Sequence, residues 1–248
     1  MIRSNALYVF VLIILALEAI ARLSLVDHSI LPLPSASLNA VASEGSTFFG
    51  AWLFTISNAL LGLLIALSVA FVISTISTLS MRGDRTIGPI IDFMQSFPKE
   101  SLFPVFFVWF GFGAAPKIVN AALLSVIPLA VVMRNALRNP PTEGLELVRS
   151  WGASRWQEFL WCRVPYAVPS FHSALRLSIP LAIVGSVLGE FMGGGAGLGS
   201  IIMTSGSIFR VDRLFGAIYL LAATGLCALS VVDGVFAATL SRYFWEEK

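Results

Sequence analysis

Glu146-Leu147-Val148-Arg149-Ser150-Trp151-Gly152-Ala153-Ser154-Arg155-Trp156-Gln157 places a glycine between two short helix signals. Upstream, Thr142 is positioned to cap a helix that begins at Glu143, with acids in the first turn where the helix dipole favours them. Gly152 is expected to end that helix, because glycine tolerates the left-handed terminal conformation. Ser154 with Gln157 three residues later reads as a capping box opening a second short helix. Leu145, Leu147, Val148, Trp151, Trp156, Phe159 and Leu160 recur among Glu143, Glu146, Arg149, Arg155, Glu158 and Arg163. Pro140 and Pro141 precede this segment, and Pro165 and Pro169 follow it. Residues 139–169 therefore read as a polar helix–glycine–helix hairpin that another protein could grip.

The rest of the chain is apolar. Hydrophobic residues make up 57% of 248 and charged residues 12%, about half the charged share of an average soluble domain. Runs this long and this poor in charge point to membrane helices. The expected fold is all-α: one polytopic membrane domain, residues 1–248, of about six transmembrane helices. They are placed at about 6–25, 52–79, 102–112, 118–136, 170–192 and 214–240. The third is short, so it either recruits residues before Pro98 or lies between other helices. Glu18 and Arg22 are spaced to neutralise each other on the first. Ser57, Ser68, Ser74, Thr75 and Ser77 on the second favour close helix approach.

This map gathers Arg3, Arg82, Arg85, Lys99, Arg134, Arg138, Arg149, Arg155, Arg163, Arg242 and Lys248 on one side. It leaves Lys117, Arg210 and Arg213 on the other. The positive-inside rule then makes both termini and the hairpin cytoplasmic in a multi-pass inner-membrane protein. The chain has no Gly-x-x-x-x-Gly-Lys-[Ser/Thr] phosphate loop, so an ATPase would have to be a separate chain. The net charge of +2 gives no reason to expect nucleic acid. Cys162 and Cys227 lack metal spacing, and His28 and His172 read as single and unpaired. No cofactor, metal site or catalytic triad is expected.

Polar groups at membrane depth are functional candidates by default. Glu190, between Gly189 and Gly193, either faces a path or gate or is an interface acid paired with Arg176 or another base. Asn120 and Ser125 either line a path or serve helix packing, as does Asn135. Asp233 is expected to pair within the bundle. Gly193-Gly194-Gly195-Ala196-Gly197 follows a membrane helix rather than a strand, so it reads as a tight turn into a short helix at 200–207 and not as a nucleotide site.

The segment Glu146-Leu147-Val148-Arg149-Ser150-Trp151-Gly152-Ala153-Ser154, followed by Val164-Pro165 and Pro169, resembles the cytoplasmic loop of permease subunits of binding-protein-dependent ABC importers. That loop carries Glu-Ala-Ala, then a spaced glycine and Leu-Pro; here Glu-Leu-Val and Val-Pro stand instead. Leu31-Pro32-Leu33-Pro34-Ser35, Trp109-Phe110-Gly111-Phe112-Gly113, Gly189-Glu190-Phe191-Met192-Gly193 and Gly197-Leu198-Gly199 are similar to the nitrate/sulfonate/taurine subgroup. The resemblance implies a type I importer permease (MetI-like) fold. It further implies two permease copies, a homodimer in the economical case, around one solute path, with two ABC ATPase subunits and an extracytoplasmic solute-binding protein. Glu146, Arg149, Trp151, Gly152, Ala153, Ser154, Arg155 and Trp156 would then couple to the ATPase. Trp151 and Trp156 would be apolar anchors, and Arg149 and Arg155 would set register. An ATP-independent secondary transporter or a membrane scaffold subunit is the alternative.

Overall fold

The computed structural model describes residues 2–23 and 26–240, and among them every regular element is helical. Helix α1 spans Ile2–Arg22, α2 Pro34–Ser43, α3 Gly45–Leu79 and α4 Met81–Ser96. A 3₁₀ turn at Lys99–Leu102 leads into α5, Phe103–Phe110. Helix α6 is Ala114–Arg138 and α7 Thr142–Ser150. Helix α8, Arg155–Glu158, continues through a π turn at Phe159–Arg163 into α9, Val164–Gly193. Helices α10, Leu198–Ser207, and α11, Val211–Leu240, complete the order. Arg242 and Lys248, assigned to the basic side, and residues 24–25, the expected end of the first span, lie outside the described residues.

Among the described residues four helices are long and apolar enough to cross a membrane: Gly45–Leu79, Ala114–Arg138, Arg155–Gly193 and Val211–Ala238. They contain the second, fourth and fifth expected spans and all but the last two residues of the sixth. The third does not form a membrane-length helix. Phe97-Pro98 breaks the chain, and Gly111, at φ 72°, stops α5 after eight residues. Helix α5 instead seats Phe103 and Phe106 against Leu124 of α6.

The fifth span begins earlier than Pro165 and Pro169 suggest. Pro165 falls in the first turn of α9, where a missing N–H breaks no helical bond. The Val164 N–H reaches back to the Phe159 carbonyl, so the π turn carries the backbone past the proline without a break. Arg155–Gly193 is consequently one 39-residue rod.

Helix α6 is the axis of the bundle, with α3 and α9 packed along it. The approach is close enough to exclude side chains. A Cβ on Gly62 of α3 would lie 2.5 Å from the Ala121 Cβ, and one on Gly185 of α9 would lie 2.7 Å from the Ala121 Cα. Nearby, the core closes around Leu63, Leu129, Ala130 and Ile179. Ser74 adds a bond across α3 and α6 by donating to the Ala130 carbonyl at 3.4 Å. Ser57 and Ser68, expected to aid packing, are exposed and bond back to their own helix.

Charged groups close the end of the bundle away from residues 139–169. Glu18 accepts from Arg22 at 2.8 Å, as the spacing predicted, and from the Ser35 backbone N–H and hydroxyl at 3.0 Å, tying α1 to α2. Arg213 bridges to Glu44 at 2.8 Å, fixing the start of α11 beside the α2–α3 junction. Gly185→Val should force backbone apart at the α6 crossing and destabilise the protein by about 1–3 kcal/mol. A lowered thermal transition in detergent, with Gly50→Ala unchanged because nothing lies within 4 Å of that position, is the expected readout. Equal transitions for both would remove the close-packing account.

Candidate functional site: the helix–glycine–helix hairpin

Helix α7 starts one residue earlier than expected. Pro141 is the N-cap and Thr142 the first helical residue, with no side-chain capping bond. Proline pre-sets the backbone angle at this entry, so the chain has turned into the helix before the Thr142 hydroxyl could cap it. The other end matches expectation. Gly152 sits at φ 75°, its N–H bonds the Arg149 carbonyl at 2.9 Å, and the Ala153 N–H bonds the Val148 carbonyl at 3.4 Å. These two bonds form a Schellman closure. A Cβ at Gly152 would meet nothing within 4 Å, so backbone angle alone, not crowding in the turn, selects glycine.

The capping box is present in both directions. The Gln157 N–H donates to the Ser154 hydroxyl at 3.3 Å, and the Ser154 N–H donates to Gln157 Oε1 at 2.8 Å. Phe159 is buried with Leu137 and Ala167, and Trp156 stacks on it at 5.3 Å. Trp151, at 70% exposed, projects freely from the tip. Glu146, Leu147, Arg155 and Ser154 are also exposed, while Ala153 is half-buried.

Glu158 holds the two short helices together, a role the sequence did not reveal. It accepts from Arg149 at 2.9 and 3.3 Å and from Arg163 at 3.0 and 2.6 Å. The Glu158 hydrogen bond, and then its charge, raise the proton affinity of Arg149 above the ordinary arginine value. Arg149 is thus committed within the hairpin, although more than half of its side chain is exposed. Arg163 also donates to the Leu137 and Arg138 carbonyls at 2.9 and 3.2 Å, fastening the hairpin to the end of α6. Arg138 and Arg134 in turn pair with Asp84 of α4, which accepts from Ser77 of α3 at 2.7 Å. A polar cleft of about 250 Å³ opens between Thr78, Met81, Arg149, Arg155, Glu158 and Arg163. Its three guanidiniums against one carboxylate suit an anionic group.

The other candidates lie elsewhere and inside the fold. Glu190, Asn120 and Ser125 are all fully buried. Glu190 accepts from Thr55 at 3.0 Å, Ser186 at 3.3 Å and the Gly199 N–H at 2.8 Å. It therefore pins α9, α3 and α10 together, and Arg176 is not its partner. Lys117 is buried nearby, donates to the Gly194 carbonyl at 2.9 Å and lies over the Phe54 ring. Ser125 donates to the Ala121 and Ser178 carbonyls, and Asn120 lies against Gly189. Ser125 thus links α6 to α9, whereas both polar atoms of the Asn120 amide are buried with no hydrogen-bond partner among the described residues. His172 is paired after all: it contacts Asp233 at 2.9 Å.

Residues 62–243 match the family described as the binding-protein-dependent transport system inner membrane component. The chain belongs to that family. It is 28% identical to a probable ABC transporter permease protein of Haemophilus influenzae over 92% of this chain and 91% of that one. It is 26% identical to a putative aliphatic sulfonates transport permease protein of Bacillus subtilis, over 84% and 76%. A chain from an inward-facing structure of the MetNI methionine ABC transporter aligns with a TM-score of 0.67 at 20% identity, covering 75% of this chain and 93% of that one. This permease therefore has the fold of importer permeases, relatives of sulfonate type, and multiple membrane helices.

Replacing Glu158 with glutamine should leave Arg149 and Arg163 without their shared counter-charge and weaken the hairpin by about 1–3 kcal/mol. Faster limited proteolysis between 142 and 163, with the rest of the chain resistant, is the expected result. Unchanged cleavage would mean that the pairing does not hold the hairpin closed.

Proposed function

We propose that this permease forms one half of the solute path of an ATP-driven importer and is driven through residues 139–169 by an ATPase on a separate chain. One observation carries the reading. The hairpin is internally complete, closed by the Schellman turn, the capping box and Glu158, yet it leaves Trp151 and Leu147 exposed at 70% and 54%. A rigid, pre-ordered projection with large apolar side chains suits insertion into a groove, because little freedom is lost on docking. Trp151 and Leu147 are the anchors. Trp156 supports from behind through Phe159, and Arg155 is free to set register, whereas Arg149 acts inside the hairpin.

Two copies of the chain, related by a two-fold axis, would present two hairpins to two ATPase subunits and enclose the path. An extracytoplasmic binding protein would deliver solute at the opposite end. The basic groups support an orientation: Arg82, Arg85, Arg134, Arg138, Arg149, Arg155 and Arg163 lie at or near the hairpin end, and the positive-inside rule favours a cytoplasmic hairpin with both termini on its side.

Gly152→Asn and Gly152→Asp separate backbone from charge, since asparagine also tolerates the left-handed region. The asparagine variant should retain a complex of two permeases and two ATPase subunits by native mass spectrometry. The aspartate variant should lose most ATPase subunits while still inserting in the membrane. Full retention by the aspartate variant would argue against docking at the tip. In intact cells, Ser207→Cys should react with an impermeant thiol reagent and Ser150→Cys should not; the opposite pattern would invert the orientation.

A further inference from the structure

Arg176 lies about 18 Å along α9 from Val164 and further still from Gly193. A hydrocarbon core about 30 Å thick therefore encloses it. Its guanidinium pairs with Asp233 of α11. On the other carboxylate oxygen, Asp233 meets His172 at 2.9 Å, and the His172 ring stacks on Phe236 at 4.2 Å. Asp233 has one methylene, so its charge stays at the depth of the backbone and cannot reach the membrane surface. The Arg176 side chain is nevertheless 41% exposed, against 21% for Asp233 and 20% for His172. A charged group at this depth is costly against lipid, which favours water or another subunit on this face.

The face continues along both helices. A groove of about 470 Å³ runs between α9 and α11, lined by Pro180, Val184, Val187, Phe191, Leu221 and Ala222. Pro180 lies one helical turn beyond Arg176 on the same side of α9. The charged cluster thus stands at the hairpin end of an apolar trough.

We propose that Arg176 is a transient binding station for the anionic head of an organic solute, with Asp233 as its internal counter-ion. This rests on the reading of the chain as half of a shared path. The sign of the solute follows from the exposures: an approaching group meets the guanidinium first, while Asp233 sits behind it and is retained by His172. A sulfonate, carboxylate or phosphate head exchanges places with Asp233 at Arg176, and the trough receives the solute's apolar body. Competition from Asp233 keeps the hold weak, as a station on a path requires if solute is to leave again.

The test uses thiol reagents as probes in the assembled transporter in native membranes, with Cys162 and Cys227 replaced by serine. Val184→Cys keeps Arg176 and Asp233 intact and places a thiol in the trough. It should react with 2-sulfonatoethyl methanethiosulfonate several-fold faster than with the trimethylammonium counterpart, after correction for their intrinsic rates. Arg176→Gln should abolish that preference. Asp233→Cys, which frees the guanidinium, should show a preference of about tenfold or more, in keeping with a charge-assisted contact. Equal rates for both reagents would overturn the anion station while leaving the path reading intact. No reaction at either position, with or without ATP, would overturn the station and any solute path along this face, since it would then be sealed from water.

Discussion

Everything in this bundle depends on how closely α6 approaches its two neighbours. Apolar side chains gain little by leaving lipid for one another, so helix association rests on short-range packing and a few hydrogen bonds. Gly62 and Gly185 let α3 and α9 contact Ala121 on main-chain terms. The Ser74 bond to Ala130 and the Ser125 bond to Ser178 then become possible because the axes are near enough. Once α6 is seated between two helices, its ends become fixed reference points. At one end its own Lys117 reaches the Gly194 carbonyl; the other end receives Arg163 and Asp84.

The hairpin and the bundle are joined by polar contacts rather than by a flexible loop. Arg149 and Arg163 meet on Glu158, Arg163 meets the last carbonyls of α6, and Arg138 and Arg134 meet Asp84. Ser77 extends the series into α3. Four segments are linked at the hairpin end of the bundle. A load on the hairpin is therefore borne by α3, α4 and α6 together. The knot around Glu190 does the same at the far end for α3, α9 and α10.

Local chemistry was legible in the sequence and distant pairing was not. The capping box at Ser154 and Gln157 and the left-handed glycine at 152 are decided within a few residues, and both formed. The Glu18–Arg22 pair likewise needed only helical spacing. Thr142 misled because Pro141 had already fixed the entry geometry. Pro165 and Pro169 read as a boundary because a π turn that absorbs a proline leaves no mark in composition. Arg176 and Asp233 are 57 residues apart, and only the packing of α9 on α11 brings them together. The roles of Glu158 and Glu190 were hidden for the same reason: each is defined by donors from other elements. The four long apolar spans were plain from charge depletion, whereas the aromatic stretch at 103–110 looked like part of a span and is a short helix that buries Phe103, Phe106 and Phe107 and exposes Val108, Trp109 and Phe110.

The unbroken run from Arg155 to Gly193 has a mechanical meaning. At 1.5 Å per residue it is a beam of about 58 Å, with one tip in the hairpin and the other beside the glycine turn. The tight contact with Ala121 at Gly185 lies near the far tip and divides the rod into unequal arms. The arm on the hairpin side is about 45 Å and the other about 12 Å. Were the rod to turn rigidly about that contact, about 8 Å from Glu190, a displacement of several ångströms at the hairpin would become about one at Glu190, with force raised in the same ratio. Such gearing favours prying apart a tightly bonded closure over sweeping a wide one.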